Sequence, residues 1–137
     1  MNDALTMAEK VTIVIPSWNG RQHLRRCLPA VLAQTYSHFE VVVVDNASTD
    51  GSIDLVRDQF SQVHLIVNES NLGFAEANNI AIRATFAPFI ATLNNDTQVE
   101  AGWLSELMRG IASDPKLGMA ASKILYMKPP HLIDSSG

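Results

Sequence analysis

Apolar and polar positions come in blocks along this chain, and the spacing within the blocks changes from one to the next. Val11–Ile15 is a β-branched run of the kind found in strands covered on both faces. Pro16 has no N–H to give a ladder and is expected to end it. After Asn19-Gly20, Leu24, Leu28, Val31 and Leu32 keep the spacing of one helical face, with Pro29 predicting a kink or irregular first turns. Phe39–Val44, apolar at nearly every position, reads as a second strand. The polar stretch Asp45–Gly51 then enters a helix whose core side Ile53, Val56 and Phe60 mark. A short strand at Val63–Val67 and a polar turn around Asn68–Gly73 follow. Phe74–Thr85 reads as a helix with Ala77, Ile80, Ala81 and Ala84 inward, and Phe89–Leu93 as a fourth strand. Trp103, Leu107 and Ile111 share a helical face with Leu104 and Met108 beside them, and Asp114-Pro115 stops that helix. Leu117–Leu125 reads as largely extended, and Pro129-Pro130 as a loop.

Alternating strands and helices argue a mostly parallel, Rossmann-like α/β sheet with flanking helices. Such sheets bind ligands beyond the carboxyl ends of their strands, where strand order switches. Three strands end in polar clusters: Pro16-Ser17-Trp18-Asn19, Asp45-Asn46 and Asn94-Asn95-Asp96. All three are predicted to line one edge.

Composition narrows the possibilities. The 137 residues, 47% of them hydrophobic, suffice for one ordered domain and not for two. Ten basic against 14 acidic residues leave a net charge of −4 with no basic stripe, so no nucleic-acid partner is expected. No apolar run approaches the roughly 20 residues of a membrane span. Residues 1–10 lack the features of a signal peptide and are expected to be a tail before a domain at 11–137. The single cysteine, Cys27, cannot pair internally, which suits a reducing, cytoplasmic setting.

The strand ends hold the candidate chemistry. Asp45 lies too far upstream to cap the following helix and is a candidate acceptor for a nucleobase imide or a ribose hydroxyl. Asp50, just before Gly51-Ser52, is the expected capping residue. Asp96 is either a turn residue or a ligand for magnesium or manganese, which bind through few carboxylates when phosphate supplies other oxygens. Trp18 offers either a flat wall to a base or a packing group. Asn71–Asn79 carries three asparagines around a helix start, a composition that favours a ligand-facing or a capped terminus over simple helix building. The four histidines show no metal-ligand spacing, and neither GxGxxG nor a Walker lysine loop follows the first strand.

Four segments in order carry a resemblance: Val11-Thr-Ile-Val-Ile-Pro-Ser-Trp-Asn-Gly20, Val43-Val-Asp-Asn-Ala-Ser-Thr-Asp-Gly-Ser52, Asn71-Leu-Gly-Phe-Ala-Glu-Ala-Asn-Asn79 and Leu93-Asn-Asn-Asp-Thr97. Together they resemble the family 2 glycosyltransferases, most of all the bacterial rhamnosyltransferase-like branch. The resemblance implies the donor-binding half of a GT-A fold and inverting transfer of a sugar from a UDP- or dTDP-sugar to a glycan or lipid-linked acceptor. It implies that Pro16, Ser17, Trp18 and Asn19 border the nucleotide and that Asp45 contacts the base. Asn78 falls near the diphosphate or ribose, where many relatives have arginine. Asn94, Asn95 and Asp96 fall on the DxD element, with Asp96 holding Mn2+ or Mg2+ and Asn94 replacing the first carboxylate. The general base is expected beyond Gly137, because Glu100, Glu106, Asp114 and Asp134 are poor matches for it. The chain is accordingly expected to stop before the acceptor-binding half and to be weakly active alone, peripheral at most to a membrane. The alternative is a non-catalytic assembly domain, whose exposed apolar surface a second copy would cover. A nucleotidyltransferase is disfavoured, since Ser17–Arg21 is a poor glycine-rich basic loop.

Overall fold

The computed structural model describes residues 9–136. Residues 1–8 of the expected tail and Gly137 lie outside the described residues. The chain order is β1 (Val11–Ser17), α1 (Arg21–Leu32), β2 (Phe39–Asp45), α2 (Ser52–Gln59), β3 (His64–Val67), α3 (Phe74–Ala84), β4 (Phe89–Thr92), α4 (Trp103–Ala112), β5 (Ile124–Leu125) and β6 (Ile133–Ser135). Strands β1 to β4 form one sheet in the order β3-β2-β1-β4. Every pairing in it is parallel, with Val11 opposite Phe39 and Phe89, and Val42 opposite His64.

Alternation along the strands divides the sheet into two faces. Val11, Ile13 and Ile15 with Val41 and Val43 pack against Leu24, Leu28 and Val31 of α1, Leu55 and Val56 of α2, and Leu104 and Met108 of α4. On the other face Val14, Val42 and Val44 pack with the small Ala77 and Ala81 of α3 and the half-buried Ile66 of β3. Two alanines let that helix sit close to the sheet, which brings its first turn near the strand ends.

Several local expectations shift. Strand β1 runs through Pro16 to Ser17, because Pro16 directs its missing donor away from β2. The Val14 carbonyl accepts from Leu93 on the β4 side (2.9 Å) and the Ser17 carbonyl from Asn46 on the β2 side (2.8 Å). Even-numbered positions therefore face β4, whose ladder stops at Val14↔Thr92. Pro29 stands inside α1 on its exposed side, where water can meet the carbonyl it leaves unpaired. The deepest residues of α2 include Leu55, while Ile53 and Phe60 are half-buried. Those of α4 are Leu104 and Met108, and Ala84 of α3 is exposed. Leu117–Lys123 forms no strand; the short antiparallel pair β5–β6 follows it.

At the amino ends of the central strands lies a half-buried polar cluster. The Thr12 hydroxyl donates to Glu40 Oε1 (2.7 Å), as does Thr85 (3.1 Å), and Lys10 Nζ reaches Oε2 at 2.6 Å. Burial alone would raise the Glu40 pKa, but these hydrogen bonds and the Lys10 charge hold it below the ordinary carboxylate value.

Candidate functional site

The order of strands switches at β1. The chain moves outward from it to β2 and β3, then returns to its other side as β4. Beyond the point where β1 and β4 part, a cleft of about 350 Å³ opens, lined by Pro16, Phe74, Asn94, Asn95 and Asp96. This is the crevice in which open α/β sheets bind their ligands.

The β1 and β4 ends are tied by side chains. Asn95 Nδ2 donates to Ser17 Oγ (2.9 Å), which buries Ser17 behind the cleft. Gly20 makes this contact possible, since a Cβ there would stand 2.3 Å from Asn95 Nδ2 and 2.6 Å from Ser17 Oγ. Asn19 adopts a left-handed φ of 47°. Its N–H donates to Ser48 Oγ and its Oδ1 accepts from the Thr49 N–H, both at 2.8 Å. Asn19 thereby holds the loop that follows β2. Trp18 is 57% exposed, which removes the packing role and leaves its face open. Asn94 turns its carbonyl inward to the Thr97 hydroxyl (2.7 Å) and, at 4.0 Å, to the Cys27 thiol. Burial first, with the Asp96 charge adding and a Thr97 hydrogen bond opposing, pushes the Cys27 pKa up to about 11. It is an inert, protonated wall behind the loop.

Asp45 ends β2 almost wholly buried. Its Oδ1 accepts from the Ser48 N–H (2.8 Å), a contact made by Ala47 taking a left-handed φ of 61°. Its Oδ2 is shielded from solvent and has no partner. Asp50, by contrast, uses both oxygens. Oδ2 accepts from the Arg21 N–H (2.9 Å) and Oδ1 from the Ser52 N–H (3.0 Å) and the Ser52 hydroxyl. It thus joins the first turns of α1 and α2 from one residue ahead of the expected capping position, since the N-cap of α2 is Gly51. Burial would raise its pKa, but those hydrogen bonds hold it below the ordinary value.

The start of α3 forms another wall. Gly73 has φ 85° and ψ 171°, a conformation open almost solely to glycine, and nothing lies within 4 Å of where its Cβ would stand. Its N–H donates to Asn71 Oδ1 (2.9 Å). Its carbonyl accepts from Asn46 Nδ2 and from the Ala77 N–H, both at 3.2 Å. Asn46 Oδ1 in turn accepts from Asn68 Nδ2 at 2.9 Å. Asn78 donates to the Phe74 carbonyl (3.0 Å) and keeps a buried, unpartnered Oδ1.

The fold therefore gathers Pro16, Asn94, Asn95 and Asp96 in one cleft, with Ser17 and Asn19 as its supports. Asp45 and Asn78 are buried beside it and do not line it. Sequence reasoning passed over Phe74 and Gly20, and it placed Asn46 in a strand-end cluster without giving it a role. Phe74 is 59% exposed at the head of α3, in the helical register of Ala77 and Ala81 but nearly a turn ahead of them, so periodicity alone gave no signal that it was free. Asp96 is exposed and, among the described residues, carries no hydrogen bond or ion pair. No group of three or more metal-ligating side chains occurs among those residues, so any ion here rests on few protein ligands. That suits Mg2+ or Mn2+, which keep waters and take oxygens from bound phosphate. Among the described residues, no helix is long and apolar enough to cross a membrane.

Comparison with known proteins agrees with this geometry. The model of the family described as "Glycosyl transferase family 2" matches residues 12–130. Glycosyltransferase AglE of Haloferax volcanii is 33% identical over 109 residues, covering 75% of this chain and 34% of that protein. Glycosyltransferase GlyA of Streptococcus pneumoniae is 28% identical over 105 residues, covering 75% of this chain and 15% of that protein. The chain thus spans about a third or less of these relatives. Among solved structures, the mannosyltransferase PcManGT of Pyrobaculum calidifontis in complex with GDP-Man and Mn2+ superposes with a TM-score of 0.68 at 28% identity. That match covers 80% of this chain and 34% of PcManGT. S. aureus TarS 1-349 in complex with UDP-GlcNAc reaches 0.69 at 21% identity, covering 87% of this chain and 38% of TarS, and shows the shared GT-A fold. On the matched motifs, the cleft and the sheet, this chain belongs to glycosyl transferase family 2.

Proposed function

We propose that this chain supplies the donor site of an inverting glycosyltransferase that takes a sugar from a nucleotide-diphosphate donor to a glycan or lipid-linked acceptor. The observation that carries the reading is the cleft at the strand switch, whose one charged lining group is the unpaired Asp96. A diphosphate cannot settle against a lone carboxylate unless a cation lies between them. Asp96 is the residue that would hold it, with Asn94 and Asn95 shaping the loop. When bound, a divalent cation would neutralise charge on the departing diphosphate. PcManGT, with its GDP-Man and Mn2+, supports this reading, as does TarS with UDP-GlcNAc.

The chain's own residues bind and orient. The Ser17–Asn95 bond fixes the β4 loop against β1, so Asp96 is held in a fixed place rather than on a free tip. Asp45 Oδ2, an acceptor without a donor, fits the imide N–H of uracil or thymine. Reaching it requires a small opening of the covering groups, and the strained Ala47 marks where the loop can give. Trp18 offers an open aromatic face at the same edge. None of Glu100, Glu106, Asp114 or Asp134 lines the cleft, so no general base is assigned among the described residues. We assign residues 11–137 to one donor-binding domain and place the acceptor-binding half outside it.

Calorimetry with UDP-, dTDP- and GDP-sugars, with and without manganese, tests the reading. The expected result is metal-dependent binding of at least one donor; well-folded protein that binds none would overturn it. Exposed apolar side chains at Met119, Leu132 and Ile133 favour a second reading, assembly through that surface. Sedimentation equilibrium separates the two: a tight dimer without donor affinity supports assembly, a monomer with affinity supports the donor site.

A further inference from the structure

The asparagine that follows Asp45 belongs to none of the contacts proposed above, yet both ends of its amide are engaged. Asn46 is 3% exposed. Its Nδ2 donates to the Gly73 carbonyl (3.2 Å), and its Oδ1 accepts from Asn68 Nδ2 (2.9 Å) and, at a longer 3.4 Å, from the Leu72 N–H. One side chain just past the end of β2 therefore grips both ends of the turn that runs from β3 into α3. The grip matters because of what comes next. The Gly73 carbonyl is also the first acceptor of α3, bonded to the Ala77 N–H. Phe74, the next residue, is a wall of the cleft that contains Asp96. The packing of α3 does not fix this first turn, since its sheet contacts are made by Ala77 and Ala81, a turn or more further on. Nor does crowding fix it, because Gly73 has open space on its side-chain position.

We infer that Asn46 is a positioning residue, clamping the 68–73 turn so that Phe74 stands as the apolar wall of the donor cleft. The inference rests on the donor reading and adds to it a residue that touches no substrate. It predicts that loosening the clamp lowers donor affinity while the fold survives. Asn46→Asp is the sharp variant: it keeps the shape and the acceptor and replaces the Nδ2 donor with an oxygen facing the Gly73 carbonyl. Asn68→Ala, at a half-buried position, weakens the same clamp from the other side and guards against a folding failure of the first variant. Glu40→Gln, at the opposite end of the sheet, is the control for lost stability alone.

The experiment measures UDP-GlcNAc and GDP-mannose binding with Mn2+ by calorimetry, well below each variant's melting temperature, alongside hydrogen exchange across residues 68–74. The expected result is faster exchange in that turn and about tenfold weaker donor binding in Asn46→Asp, with a smaller loss in Asn68→Ala and none in Glu40→Gln. Unchanged exchange in the turn would overturn the clamp. Faster exchange with undiminished donor affinity would overturn its role in the cleft. Wild-type protein that binds neither nucleotide sugar nor any other donor would remove the donor reading itself, and the wall's purpose with it, even with the clamp visible in exchange.

Discussion

Strands β1 and β2 carry a polar cluster at each end, and the two clusters are built on opposite terms. At the amino ends, Glu40 meets a donor at every oxygen: Thr12 and Thr85 on Oε1, Lys10 on Oε2. At the carboxyl ends, Asp45 leaves one buried oxygen without a donor, and Asp96 stands with none. A buried carboxylate oxygen left unpaired costs stability, and native structures tolerate few of them. A closed cluster stabilises the fold and has nothing left to bind with. An open one sacrifices stability and keeps acceptors for something that is not part of the chain. Asp50 shows that openness is not general to acids at that edge, since both its oxygens hold helix starts.

Substitutions can break this contrast. The largest effect is expected for Asp96→Ala, which should weaken manganese-dependent donor binding roughly a hundredfold by calorimetry. Its melting temperature should stay within a degree or two, because Asp96 contributes no bond to the fold. A matching loss of stability would make Asp96 a structural turn residue instead. Glu40→Gln should do the reverse, lowering unfolding free energy by about 1–3 kcal/mol in urea titrations with donor affinity unchanged. Asp45→Asn sharpens the comparison most. Donor affinity should fall about tenfold while stability holds within about 1 kcal/mol, since Oδ2 makes no bond that the substitution would break. Stability lost to the extent seen for Glu40→Gln would show that Asp45 belongs to the closed kind.

The smallest expected effect is on acid stability. Glu40 titrates below its ordinary 4.5 in the folded chain, so below that pH the unfolded state binds more protons. The stability this group adds is complete at neutral pH and is lost as pH falls through the lowered folded value. Asp50, lowered from 3.8, acts in the same direction. Melting curves between pH 3 and 7 should show this acid-side loss, and Glu40→Gln should flatten its upper part.

Much of this was legible in residue order. The β-branched runs at Val11–Ile15 and Phe39–Val44, with helical periods between them, announced the parallel sheet. The polar residues closing β1, β2 and β4 announced its functional edge. What misled was local chemistry read without neighbours. Pro16 reads as a strand stop, but its missing donor faces the side where β4 has already ended. Leu117–Leu125 reads as extended, yet only its last two residues pair, because a strand needs a partner as well as a composition. Phe74 reads as one more residue of the inward face of α3, since it keeps the register of Ala77 and Ala81, yet it stands exposed at the head of the helix ahead of the residues that meet the sheet.

The sequence by itself determined the class of fold, the edge on which the candidate site lies and the family, because hydrophobic period and motif order are properties of the linear chain. The tertiary structure decided which polar residues are spent and which are free. Asn19, Ser17 and Asn46 look like Asp45 and Asp96 in a string of letters, all of them polar and all at strand ends. They differ only in whether a donor or acceptor from a distant segment reaches them: Thr49 for Asn19, Asn95 for Ser17, Gly73 for Asn46. Hydrogen bonds are satisfied in space, between residues tens of positions apart, and folding alone settles which groups remain for a ligand.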